Sequence, residues 1–217
     1  MEPLLQLGGQ YPMSLLLTSV YAGSVQYFSK IAHFGRFTLE AHGHYLRQTY
    51  RTRCRIATAD GVQDLTVPVE RGTDEKPYDR DIRIAASPWQ KLHWGAITAA
   101  YNKSPFLDYL ADDLHGLYER KYTFLWDFQQ DMLHFLLRNL GLHAEYSLST
   151  GFIPLSENDT RLLADARHPH PDAHFAPVPY YQVFADKHGF LPNLSVLDLL
   201  FNLGPESPVI LHQSYRP

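Results

Sequence analysis

Ser14-Leu15-Leu16-Leu17-Thr18-Ser19, then Gly23-Ser24, then Val25 to His33 closed by Gly35, and finally Arg36-Phe37-Thr38-Leu39-Glu40, decide the fold class. The first six residues are an apolar run between polar ends, the pattern of a buried strand. In the next segment Phe28 follows Val25 by three positions, and Ile31 and Ala32 follow Phe28 by three and four, which makes a helical stripe. Gly35 is placed to close that helix in a left-handed conformation. Arg36 to Glu40 returns to strand character. Strand, short turn, helix and strand form a βαβ unit, and such units build parallel sheets.

Outward from this unit, Gln48 to Ala57 alternates, Ala59-Asp60-Gly61 is a turn, and Gln63 to Val69 is a second strand, so a β-hairpin is predicted. Residues 70–80 read as a polar exposed loop, and Ile82 to Ile84 as a further edge strand. The middle of the chain is helical. Ser87-Pro88-Trp89 opens one helix running to about Asn102, and Ser104-Pro105 opens a second through Tyr118. A third runs from about Thr123 to Leu140, with Leu125, Phe128, Met132, Phe135 and Leu136 on one face, and Gly141 ends it. Leu142 to Ser149 reads as a strand. Pro154, Pro169, Pro171, Pro177 and Pro179 make residues 151–179 a long ordered loop, with a short helix near Thr160 to Ala166. Pro192-Asn193-Leu194-Ser195 caps a last helix, Val196 to Leu203, ended by Gly204-Pro205. The expected architecture is a single three-layer α/β domain over residues 1–217. It has a short, mostly parallel sheet, a β-hairpin and a helical middle segment, and residues 151–179 wrap the body.

Composition limits the function classes. The chain has 217 residues, with 19 Lys+Arg against 23 Asp+Glu, a net charge of −4. That balance argues against a generic nucleic-acid binder, which shows a broad basic surface. No apolar run approaches the roughly 18 residues of a membrane span. Met1 to Tyr11 carries no basic segment ahead of its leucines, so a signal peptide is not expected. A lone cysteine, Cys54, excludes an intrachain disulfide framework and fits a reducing compartment, here the cytoplasm. Aromatic residues, at 13%, either fill a large core or line a pocket with stacking faces and hydroxyls suited to sugars or nucleotides.

Four stretches carry a family resemblance. The first is Tyr21 with Gln26-Tyr27-Phe28. The second is Gln48 to Cys54, leading to Leu65-Thr66-Val67-Pro68-Val69. The third is Trp89, His93-Trp94, Ala100-Tyr101 and Ser104-Pro105-Phe106. The fourth is Tyr181-Gln182-Val183-Phe184 followed by Gly189 to Pro205. Together they resemble the WbqC-like family, most closely its short form in Bacteroides-type bacteria, from about Ser14 to the end. The resemblance implies a product of O-antigen or related surface-polysaccharide gene clusters, with transfer of a glycyl or other acyl group, or sugar modification, as its chemistry. It brings no catalytic residue with it. The chain departs from the family at Ala22-Gly23-Ser24, where a proline-bearing loop is usual, and at Thr52, where Asn is usual. It also lacks an insert that longer relatives carry before the final segment.

Several constellations could carry chemistry. Arg51, Arg53 and Arg55 share one face if they lie on one strand, and guanidinium forks match phosphate or carboxylate. The alternative is a solvated edge strand balanced by Asp60, Asp64 or Glu70. Tyr21 to Gln26 joins a strand to a helix N-terminus, where open α/β sheets bind ligands and backbone N–H groups favour anions. His93, beside Trp94 and Tyr101, is a candidate general base or a packing histidine. His168, His170 and His174 with Asp172 suggest a metal-dependent hydrolase, although their spacing matches no standard zinc motif, and His42-Gly43-His44 is similarly ambiguous. Cys54 alternates away from Arg53 and Arg55 and reads as a buried thiol. Asp198 and Asn202, four apart on a helix, form either a substrate edge or a packing contact. The leading expectation is a transferase. In it His93 is the base, Arg51, Arg53 and Arg55 bind an anionic nucleotide-sugar or activated acyl donor, and Tyr21, Gln26, Tyr50, Tyr101, Asp198 and Asn202 contact substrate. No cofactor, nucleic acid or membrane span is expected. The alternative is a non-catalytic binding or scaffold protein with an exposed apolar patch.

Overall fold

The computed structural model describes residues 15–70, 76–156, 159–166 and 170–217. Ser14, loop residues 71–75 and His168 therefore lie outside the described residues. The βαβ unit forms as its sequence dictates. Strand β1 (Leu15–Thr18) leads to helix α1 (Val25–Phe34) and strand β2 (Arg36–Glu40). Ser24 Oγ accepts the Tyr27 backbone N–H at the start of α1, and Gly35, at φ +64°, donates its N–H to Ile31 at the end. Val25, Phe28 and Ile31 are buried along the predicted stripe. β1 pairs with β2 in parallel from Leu15↔Phe37 to Thr18↔Glu40. β5 (Glu145–Leu148) adds to the other side of β2, also in parallel, so the sheet order is β1-β2-β5.

The hairpin comprises β3 (Arg53–Thr58) and β4 (Gly61–Thr66). It is shorter at its start than the alternation from Gln48 predicts. Thr49 accounts for the difference: its hydroxyl donates to the Leu46 carbonyl and accepts from the Arg51 N–H, which folds residues 46–51 into a turn. Gln48 sits at φ +59° within that turn. At the far end only the Val67 N–H continues the ladder, to the Thr52 carbonyl, before Pro68. Ile82 to Ile84 is likewise no strand, since Val69↔Ile84 and Arg83↔Phe124 are isolated bridges.

The helical middle is α2 (Trp89–Tyr101), α3 (Leu107–Glu119) and α4 (Leu125–Asn139). All five residues of the predicted α4 face are buried. α3 begins three residues after Ser104, because the Phe106 N–H is committed to the Phe201 carbonyl of a later helix. A one-turn helix α5 (Ala185–His188) precedes α6 (Val196–Leu203). The chain then adds α7 (Ser207–Ser214), which the sequence reading omits although Ser207-Pro208 repeats the start signal of α2.

Within the proline-rich segment a 3-10 turn, Thr160–Ala164, is clasped to the end of the sheet. Glu40, the last residue of β2, accepts from Ser149 Oγ, the His42 and Ile153 backbone N–H groups, and Arg161. Burial alone would raise its carboxyl, but these four donors outweigh it and hold Glu40 below the usual carboxylate range.

Candidate functional site

His93 is carried by α2 into the aromatic core. Its Nδ1 lies 3.0 Å from the Tyr21 hydroxyl, which lies 2.7 Å from the Tyr118 hydroxyl. The Tyr21 and His93 rings stack with centroids 5.6 Å apart, and Trp89 meets His93 edge-on at 5.2 Å. Only 6% of His93 is exposed. Burial depresses the imidazole from 6.5 to about 4, against an opposing backbone contact at Thr66. Cys54 lies beside Tyr21, and burial pushes its thiol up, away from thiolate reactivity.

This burial has a consequence for stability. The unfolded chain takes up a proton on His93 below about pH 6.5, while the folded chain does not until about pH 4. Stability therefore falls as pH drops through that window. At about 1.4 kcal/mol per pH unit, the full effect approaches about 3 kcal/mol. Urea unfolding between pH 7 and 4 should show the loss, and His93→Phe should flatten it. An unchanged slope in the variant would refute burial of a neutral ring.

The other expected site residues disperse. Arg51 falls in the turn before β3, so it does not share a strand face with Arg53 and Arg55. Its side chain is buried, with Nε 2.9 Å from Asp79 Oδ2. Arg53 and Arg55 instead reach Asp64 across the hairpin, at 3.4 and 3.2 Å. Cys54 points inward to the Tyr21–His93 cluster, so the alternation of β3 puts both guanidiniums on the opposite face from that ring. Tyr50 packs beside Arg55, its ring centroid 5.6 Å from the guanidinium carbon.

Tyr101, Asp198 and Asn202 form a second buried knot. Asp198, fully buried on α6, accepts from the Tyr101 hydroxyl at 2.9 Å, the Tyr180 hydroxyl at 2.7 Å and Gln182 Nε2 at 2.9 Å. Burial raises its carboxyl although these three donors pull the other way. Asn202 donates to the Asp198 carbonyl, and Tyr101 also accepts the Ala57 N–H. The knot ties α2, α6 and β3 together.

The turn after β1 offers no free anion cradle. The Val25 N–H goes to the Leu194 carbonyl, that of Gln26 to Asn193 Oδ1 and that of Tyr27 to Ser24 Oγ. The Gln26 side chain is spent on Asp172 and Asn193. The void beside this turn measures about 10 Å³, room for one water. In the histidine segment, Asp172 pairs with Lys30 at 2.8 Å and His174 Nδ1 contacts the Arg216 carbonyl. Among the described residues no group of three His, Cys, Asp or Glu side chains could hold a metal ion.

A different concavity opens where β2 ends. It has a volume of about 470 Å³ and is lined by Ala41, His42, Tyr78, Arg80, Asp81, Phe124, Trp126 and Asp127. Open α/β sheets bind ligands beyond the carboxyl ends of their strands, and Ala41 and His42 directly follow β2. The Arg80 guanidinium lies 5.9 Å from the Trp126 ring centroid. Buried contacts hold the walls. The Asp79 N–H donates to the Gly43 carbonyl, Asp79 pairs with Arg51, and Gln129 of α4 donates to the Arg51 carbonyl. Arg51 and Asp79 together thus link the three segments that line the cleft. Of the lining residues the sequence reading considered His42 alone, as part of His42-Gly43-His44. The available signal was the strand-end rule, applied to β2 as well as β1.

A sequence model of the WbqC-like protein family matches residues 19–176. The chain belongs to this family. The matched span begins just after β1 and takes in β2, β5, the hairpin and the helical middle, including every residue that lines the cleft, and stops before the α5–α6 segment of the resemblance. A curated relative from Mycobacterium tuberculosis (strain ATCC 25618 / H37Rv), "Uncharacterized protein Rv1507c", is 26% identical over 208 residues, covering 84% of this chain and 90% of the relative. No solved structure matches. No helix among the described residues is long and apolar enough to cross a membrane.

Proposed function

We propose that this WbqC-like protein is a transferase of bacterial surface-polysaccharide assembly that holds a sugar-bearing substrate in the cleft beyond β2. One observation carries the reading: the aromatic and ionisable lining of a 470 Å³ concavity at a strand's carboxyl end. That volume is in the range of small-molecule sites. Tyr78, Phe124 and Trp126 offer flat faces to sugar C–H surfaces, while Asp81, Asp127 and His42 suit hydroxyl groups. His42 is the proton-transfer group of this lining. Arg80 supplies charge for a phosphate or carboxylate on the same substrate.

Thermal-shift measurement against nucleotide-sugars, nucleotides and acyl-coenzyme A compounds tests this. A ligand at about 100 times its Kd stabilises by about 2.7 kcal/mol, raising Tm by roughly 5–10 °C in a chain this size. Arg80→Ala, at an exposed position, should leave the unliganded Tm alone and abolish the shift. A panel without hits, or one in which every hit is indifferent to Arg80→Ala, would overturn the assignment.

A second reading, a non-catalytic binding or scaffold protein, draws on two observations. The arginines and His93 do not converge, and Phe152 and Leu155 stand 54% and 56% exposed on one short segment. Product formation from a bound sugar donor separates the two readings.

A further inference from the structure

The outer face of the hairpin combines three features that an ordinary surface ion pair does not need. Arg53 and Arg55 project from the same side of β3, and both turn to one carboxylate, Asp64, which the register sets directly opposite Arg55. Each uses one N–H on Asp64, over contacts of 3.4 and 3.2 Å, longer than the 2.7–2.9 Å of a strong charge-assisted bond. Two positive forks against one negative group leave the cluster one charge in excess. Arg53 Nε is buried with no acceptor, a state that costs roughly 1–3 kcal/mol. Tyr50 flanks the cluster, its ring under the Arg55 guanidinium.

We propose that this face is a phosphate-binding site, separate from the cleft, in which Arg53 and Arg55 clasp one phosphate group and Asp64 is the competitor it displaces. The phosphate accepts parallel N–H bonds from the forks, neutralises the excess charge, and draws the Arg53 fork into a position where Nε–H has an acceptor. Tyr50 holds Arg55 flat and gives the ligand an aromatic margin. The site does not depend on the sugar-binding reading of the cleft, since none of its residues lines that concavity.

The test is calorimetric titration of the whole chain with orthophosphate, pyrophosphate and uridine diphosphate, at constant ionic strength set with potassium chloride. Arg55→Ala should weaken pyrophosphate binding at least tenfold. Asp64→Asn removes the competing carboxylate and should tighten it severalfold, a gain that damage to the fold would not produce. The Arg55→Ala loss should be the same in an Arg80→Ala background, which separates this site from the cleft. Uridine diphosphate binding tighter than pyrophosphate identifies a nucleotide as the phosphate source, and equal binding identifies the free anion. The proposal is overturned if none of the three phosphates binds above the chloride background, if Arg55→Ala binds as wild type does, or if Asp64→Asn weakens binding. Should Arg55→Ala fail to fold, the sign of the Asp64→Asn effect decides alone.

Discussion

Arg161→Met should destabilise the protein by about 3–5 kcal/mol, the cost of stranding buried charges by removing their partner. Arg161 uses its whole guanidinium. Nε and Nη2 bond the two oxygens of Asp159 at 2.8 and 2.6 Å, Nη1 bonds Glu40 and the Ile153 carbonyl, and Nη2 also bonds the Pro154 carbonyl. The Glu40 side chain is 2% exposed and that of Asp159 is 4% exposed, so neither gains water when the arginine goes. Arg161→Lys keeps the charge but brings three donors in place of five, and should recover less than half of the loss. The deficit should also depend on pH. Glu40 and Asp159 are held below their usual range in the folded protein, so wild type keeps their contribution above about pH 4.5 and loses it as pH falls through the folded values. In Arg161→Met the buried carboxylates protonate more readily, so the gap to wild type narrows towards pH 3. Guanidinium unfolding at pH 7 and pH 3.5 measures both effects. A deficit under 1 kcal/mol at pH 7 would show that Glu40 and Asp159 are satisfied without Arg161.

The clasp also shows where the sequence was readable. The βαβ unit was legible because its evidence is local: a three-and-four stripe, Ser24 at one end of α1 and Gly35 at the other. The α2 start and the α4 face were legible for the same reason. Where a side chain rewrote the backbone, legibility failed. Thr49 folds back on Leu46 and Arg51, and that turn removes Arg51 from the strand that alternation gave it. His93 fails differently. Its spacing to Ile97 and Tyr101 is the same whether it faces a ligand or the hydroxyl of Tyr21, and only the packing of α2 on the first βα turn decides. The cleft is harder still, because residues 41–42, 78–81 and 124–127 share no motif and are brought together by tertiary contacts such as those of Arg51, Asp79 and Gln129. Asp64 was legible as one of the acids balancing the arginines, since any hairpin about the Asp60-Gly61 turn sets it near Arg55.

Gly204→Ala should be the most damaging glycine-to-alanine change among the described residues, because two penalties fall on one atom. Gly204 closes α6 at φ +51°, donating its N–H to the Leu200 carbonyl, and a side chain there is strained by about 1–3 kcal/mol. A Cβ would also lie 2.5–2.7 Å from three atoms of the Phe106 ring. The backbone that carries the ring cannot shift away freely. The Phe106 N–H is bonded to the Phe201 carbonyl at 3.0 Å, which docks the start of α3 on α6. Overpacking of this kind adds about 1–3 kcal/mol. The sum, about 2–6 kcal/mol, corresponds to a Tm drop of roughly 5–20 °C. Gly35→Ala isolates the conformational part, since Gly35 also has a positive φ, +64°, yet a Cβ there meets nothing within 4 Å. It should cost about 1 kcal/mol. Adding Phe106→Leu to Gly204→Ala removes ring atoms from the collision and should return part of the lost stability, although Phe106→Leu is destabilising alone. Equal Tm losses at Gly35 and Gly204, with no recovery in the double variant, would mean that α3 and α6 do not meet at Phe106.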